Sequence, residues 1–240
     1  MKHLANHLGN FNELPVVVKN LLIINGLLFL ATISLNNLGI NLVKIFGLHQ
    51  FQSNDFRPHQ IITHLFMHGS FTHLFFNMFA LWMFGKILEN IWGQKKFLIY
   101  YMITGIGAAA IHLIFCQYQI INISNQIPDL VNIAIEGKYN PSIPLSKKLT
   151  QLIITPTVGA SGAVFGLLLA FGMLFPNALL YLYFAIPIKA KYFVIGYGLI
   201  ELYAGISNNP ADNVAHFAHL GGMIFGYYLI KYCKKDTNYL

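Results

Sequence analysis

Apolar residues run through this chain in stretches too long for the core of a soluble domain, and polar residues interrupt them in only a few places. A helix that crosses a membrane needs about 20 mostly apolar residues. Six candidate segments appear: 15–35, 62–84, 97–115, 158–175, 192–206 and 214–231. The first, Pro15 to Leu35, lacks a small-residue cleavage site and reads as a retained helix rather than a removed signal peptide. A further apolar piece, Leu179–Ile188, follows the fourth; it is either an extension or, given Pro176-Asn177, a loop at the interface. The fifth is short and contains Glu201, which blurs its boundaries. The pattern predicts an all-α, polytopic membrane protein, one domain over 1–240, with 117–157 as its single large loop and insertion.

Composition agrees. Residues are 56% hydrophobic and 10% charged, and mean hydropathy is +0.57. A soluble domain carries about 25% charged residues, so a water-soluble globule and a disordered chain are both excluded. The net charge of +7 does not point to nucleic acid: all but one of the fifteen basic residues are lysines, placed in short loops. Such lysines record orientation in the membrane. With the N-terminus inside, Lys2, Lys19, Lys86, Lys95, Lys96, Lys189, Lys191, Lys231, Lys234 and Lys235 lie on the inner side. Lys44, Arg57, Lys138, Lys147 and Lys148 lie outside, three of them in the long loop. Both termini are therefore expected in the cytoplasm. Cys116 and Cys233 form no motif, and no metal site is expected.

The interruptions carry the chemistry. The second segment holds His64, His68, His73 and Asn77; the fourth begins TVGASGAVFG, with Ser161; the sixth holds His216 and His219. Polar side chains at membrane depth are costly and face a bundle interior or a wet cavity. In this topology all three groups lie near the outer ends of their spans, where they can meet. A histidine alone reads more simply as a helix–helix hydrogen bond, and a serine alone as a small packing residue. Together they suit acyl transfer. Gly159-Ala160-Ser161-Gly162 leaves the backbone bare around a hydroxyl at a helix start, where free N–H groups favour a developing oxyanion. A histidine from another span can then act as general base. His73 and Asn77, one turn apart, offer side-chain donors on one face. The small-residue pairs Gly162/Gly166 and Gly222/Gly226 allow the fourth and sixth spans to approach closely.

These residues resemble the rhomboid intramembrane serine proteases. The resemblance rests on GASG at Gly159–Gly162, on Ala218-His219 followed by Gly222 and Gly226, on His73-xxx-Asn77, on the spacing of His64, His68 and His73, and on Glu89. It covers most of the chain from Ile61 to Tyr228, the long loop apart. It implies a Ser–His dyad without a third acidic member, cleaving a peptide bond in or near a transmembrane segment. Ser161 would be the nucleophile and His219 the base. The Ser161 N–H with His73 and Asn77 would hold the oxyanion, supported by Gly159. Glu89 would tie the first outer loop from beneath. His216 lacks the glycine spacing that follows His219 and is not the motif histidine. No cofactor is implied; the partners would be transmembrane segments of other membrane proteins and the bilayer itself. An N-terminus without arginine favours a bacterial plasma membrane, with the site open to the outer face.

Two positions depart from the family pattern. His59-Gln60 stands where many relatives have Trp-Arg, which questions how the first outer loop packs. Phe165 stands where some have a tyrosine that stacks on the histidine.

Rival classes fit less well. There is no His-Glu-x-x-His for a metalloprotease, since Leu65-Phe66 follows His64. Asp55, Asp129, Asp212 and Asp236 all fall in loops or tails, which excludes an aspartyl protease. A transporter using His64, His68 and His112 would need intramembrane carboxylates to accompany them. A catalytically inactive relative that binds transmembrane segments would usually have lost the serine or the histidine, and both are present.

Overall fold

Proline at a helix start sacrifices no intrahelical hydrogen bond, and Pro15 opens the first helix, α1 (Val16–Asn36), in that way. The structure, a computed structural model, describes residues 14–182, 185–207 and 215–233. Lys2, Asp212, Val214, Lys234, Lys235 and Asp236 lie outside the described residues. The next orphan donors of α1, the N–H groups of Val17 and Val18, are taken by the two oxygens of Glu89 at 2.9 and 2.8 Å. Glu89 therefore caps the first helix. It does not tie the first outer loop, which the resemblance implied, because it sits at the opposite end of the second long helix.

That helix, α2 (Phe71–Trp92), begins later than the hydropathy pattern placed it. Ser70 accepts the N–H of His73 and sets the start; a π turn at Leu81–Gly85 interrupts the middle; and Gly93, at φ 78°, ends it. His64 and His68, expected within the span, lie instead in the short helical turns and loop before it. Apolar residues alone cannot mark such a boundary. The cap at Ser70 does.

The loop before α2 is packed despite lacking the Trp-Arg pair. The buried Gln60 side chain accepts the N–H of Arg57 and donates to the carbonyls of Asp55 and Ile45. Leu48, with Phe56 and Ile61, then sits on Ala109 and Leu113 of the third helix.

α3 (Gln94–Ser124) has 31 residues. At about 1.5 Å per residue it is roughly 46 Å long, well beyond a hydrocarbon core of about 30 Å. Its last turns carry Ile120 and Ile123, which Ala134, Leu149 and Ile153 cover from the short helices Val131–Ile135 and Pro144–Ile154. The expected large loop is thus a small helical cap with its own core, built on an extension of α3.

α4 (Ser161–Leu174) is apolar all round and buried along most of its length, as a central helix must be. The apolar piece after it is neither an extension nor an irregular loop. Leu179–Leu182 and Ile186–Lys189 pair as an antiparallel hairpin, the one sheet among the described residues. α5 (Ala190–Ser207) and α6 (His216–Cys233) complete the bundle. α3, α4 and α6 pack together at the centre, with α5 against α4 and α6, and α1 against α2.

Among the described residues, α1, α2 and α3 are each long and apolar enough to cross a membrane. Their outer faces carry exposed leucine and isoleucine, such as Leu27 at 61% and Ile114 at 69% exposure, a surface suited to lipid rather than water. The chain is a polytopic, helical, integral membrane protein.

Candidate active site

The glycines of α4 and α6 decide how close the two helices come. A Cβ on Gly222 would fall inside the Gly162 carbonyl, and one on Gly226 would meet the Tyr100 hydroxyl and the Gly166 Cα. Gly162 and Gly166 in turn face Ala108 and Thr104 of α3, where a side chain would also collide. The Tyr100 hydroxyl donates to the Gly166 carbonyl at 2.8 Å and ties α3 to α4 beside the crossing. With backbones this near, Ser161 at the first position of α4 and His219 one turn into α6 meet directly: Nε2 lies 2.9 Å from Oγ.

The backbone before Ser161 is equally constrained. Thr157 pairs with Leu48 through two hydrogen bonds, and the Gly159 N–H donates to the His64 carbonyl at 2.9 Å. Gly159 has φ 124°, which disfavours a side chain, and a Cβ there would stand 2.7 Å from the His73 ring. His73 and the nearly buried Asn77 (5% exposed) thus flank the turn that delivers the Ser161 N–H. His68 packs edge-on against the His73 ring at 5.0 Å, and His64 Nδ1 donates to the Gln60 carbonyl at 2.9 Å. The Phe165 ring stacks flat on His219, 4.1 Å between centroids and 6° between planes, with Tyr197 stacked on its other side. The phenyl ring keeps the stacking contact and supplies no hydroxyl.

One group was misread in the sequence. In the sequence Glu201 reads only as a residue that blurs the boundaries of the fifth segment, and it is not counted among the carboxylates that a transporter reading would need. In the structure Glu201 is 5% exposed on α5, and its Oε2 accepts hydrogen bonds from His219 Nδ1 at 2.8 Å and from His216 Nδ1 at 2.7 Å. The signal was available: an ionisable residue within a span is a functional-site hypothesis in its own right. What the sequence could not give was the partner, fifteen and eighteen residues further on in another helix. His216 therefore reaches the site from behind Glu201, not through Ser161.

Glu201, His216 and His219 are also the cluster among the described residues whose donor atoms lie close enough to hold a cation. His64, His68 and His112 form no such group.

A partly buried serine–histidine pair at the crossing of glycine-faced helices places the candidate site inside a polytopic helical membrane bundle. The chain belongs to the rhomboid family: residues 55–235 match the family described as Rhomboid domain. It is 30% identical over 223 residues to Rhomboid protein 1, mitochondrial, of Saccharomyces cerevisiae, covering 83% of this chain and 54% of that protein. It is 30% identical to the rhomboid protease AarA of Providencia stuartii over 68% of this chain and 51% of AarA. It is 26% identical to the rhomboid protease GluP of Bacillus subtilis over 70% of this chain and 25% of GluP. The chain thus spans about half the length, or less, of these curated relatives.

Proposed function

We propose that this chain is an intramembrane serine endopeptidase that hydrolyses peptide bonds in or near transmembrane segments of other membrane proteins. The observation that carries the reading is the 2.9 Å contact between His219 Nε2 and Ser161 Oγ. Ser161 is the nucleophile: its hydroxyl proton passes to His219 as Oγ bonds to the scissile carbonyl carbon, and His219 returns that proton to the leaving amine. The oxyanion is held by the Ser161 N–H, which a helix start leaves unbonded, together with His73 and Asn77. No cofactor enters this chemistry.

The depth of the site follows from helix length. α4 has 14 residues, about 21 Å against a hydrocarbon core of about 30 Å, so a serine at its outer end lies well below the membrane surface. A substrate helix must unwind locally to present a peptide bond there. The reading places six helices across the membrane with both termini in the cytoplasm. The proposed setting is a bacterial plasma membrane; the yeast mitochondrial relative matches more of the chain than the bacterial protease AarA does, 83% against 68%, and fractionation of the tagged protein decides between the two membranes.

A relative that only binds transmembrane segments would have no use for the aligned hydroxyl and imidazole. The direct test is cleavage of a fluorogenic transmembrane peptide in proteoliposomes. Wild type should cut it and Ser161→Ala should not; cleavage by the variant at the wild-type rate would refute the assignment.

A further inference from the structure

We infer that Glu201 completes a Ser161–His219–Glu201 relay and that His216 holds its carboxylate in place, so that this chain departs from the two-residue arrangement the family resemblance implies. The inference rests on the protease reading above and deepens it.

Geometry carries it. A carboxylate oxygen only accepts, so the 2.8 Å contact to Glu201 Oε2 puts the proton of neutral His219 on Nδ1. Nε2 is then left with its lone pair, aimed at the Ser161 hydroxyl 2.9 Å away. This is the tautomer a general base needs. In attack, the Oγ–C bond forms, the carbonyl electron pair moves to oxygen, and the Oγ proton moves to Nε2. The imidazolium so formed lies beside a carboxylate in a site with little water, where the attraction is strongest. The C–N bond then breaks as Nε2 gives its proton to the departing nitrogen. Water then gives a proton to Nε2 as its oxygen bonds to the acyl carbon; the Oγ–C bond breaks to release the acid, and Nε2 passes that proton to Oγ. Glu201 keeps its charge throughout and touches no reacting atom; it is a positioning residue.

His216 supplies the second donor, 2.7 Å to the same oxygen. A carboxylate in a span is tolerated only when hydrogen bonds replace its water, and two N–H groups from α6 do this. A metal does not explain the cluster as well. Ligands about 2.0–2.1 Å from a tetrahedral zinc sit roughly 3.3 Å apart, whereas these donor–acceptor distances are 2.7 and 2.8 Å, those of hydrogen bonds.

The experiment uses the full chain in proteoliposomes, with kcat and KM for a transmembrane peptide normalised to the amount of folded, reconstituted protein. In soluble serine hydrolases the acid-to-amide change lowers kcat by about 10⁴-fold. Glu201→Gln should lower kcat per active site by at least about 100-fold, with KM within about twofold, because the lost interaction is made in the transition state. His216→Ala, which leaves the Glu201–His219 contact in place, should lower kcat about 3- to 10-fold. A latch that merely joined α5 to α6 would lower thermal stability while leaving kcat per folded molecule unchanged, and that result overturns the inference. Should Glu201→Gln fail to insert, Glu201→Asp keeps the charge but draws it back by one methylene; its kcat must fall by at least about tenfold, and an unchanged value overturns the proposal. Activity lost to EDTA and restored by zinc would reassign the cluster to a metal. A wild type that neither labels nor cuts overturns the protease reading and this inference together, whereas an active wild type with indifferent variants overturns the inference alone.

Discussion

At residue scale, the site depends on atoms that are absent as much as on those present. Gly159 combines a positive φ with a position against the His73 ring, so Gly159→Ala strains the backbone and pushes His73 at once. Activity should fall at least tenfold while the protein still inserts, measured as peptide cleavage per folded molecule; full activity would show that the turn tolerates a side chain. His219→Ala should be as inactive as Ser161→Ala, because both remove the same proton transfer. His216→Ala should keep measurable turnover, and an exchange of phenotypes between the two histidines would assign the base to His216. The residues of this site were unusually readable, since Ser161 and His219 are conspicuous against apolar surroundings and their glycine neighbours announce close packing. Glu201 was visible but silent. A lone carboxylate in an apolar stretch looks like a boundary error until a fold supplies its donors, and those lie on a different helix.

At the scale of elements, the long helices followed from hydropathy, but their ends followed from local chemistry that hydropathy does not weigh. The N-cap at Ser70 moved the start of α2 past His64 and His68. α3 continued far beyond its apolar run because the helices after it provide Ala134, Leu149 and Ile153 as cover for Ile120 and Ile123. The hairpin at Leu179–Lys189 was unreadable, since a short apolar run has no period that separates strand from helix. Glu89 makes the clearest prediction here. Its carboxylate satisfies two N–H groups at the start of α1 while standing at the end of α2, far along the chain from Ser161. Glu89→Ala should cost about 1.5–3 kcal/mol of stability for each charge-assisted hydrogen bond lost, less whatever water recovers. Thermal unfolding in detergent should show the loss, with kcat per active site unchanged. A variant of wild-type stability would mean that α1 needs no such cap.

At the scale of the molecule, one central helix sets the architecture. α4 is too short to span the bilayer alone, is buried nearly all round, and carries Ser161 at its end, so on the proposed reading the fold places a polar reaction below the membrane surface without exposing backbone to lipid. Around it, α6 contributes His219, the proposed base, α2 the flanking His73 and Asn77, and α5 the Glu201 carboxylate. The crossing of α4 and α6 has no slack: Gly222→Val would drive a branched side chain into the Gly162 carbonyl, and both folding and cleavage should be lost.

The central claim is that Ser161 is activated by its neighbours. Purified protein treated with a fluorophosphonate and then digested for mass spectrometry tests it most directly. The account predicts a single modified peptide bearing the label on Ser161, absent in Ser161→Ala and sharply reduced in His219→Ala. A well-folded wild type that takes up no label, or one labelled equally well without His219, would contradict it.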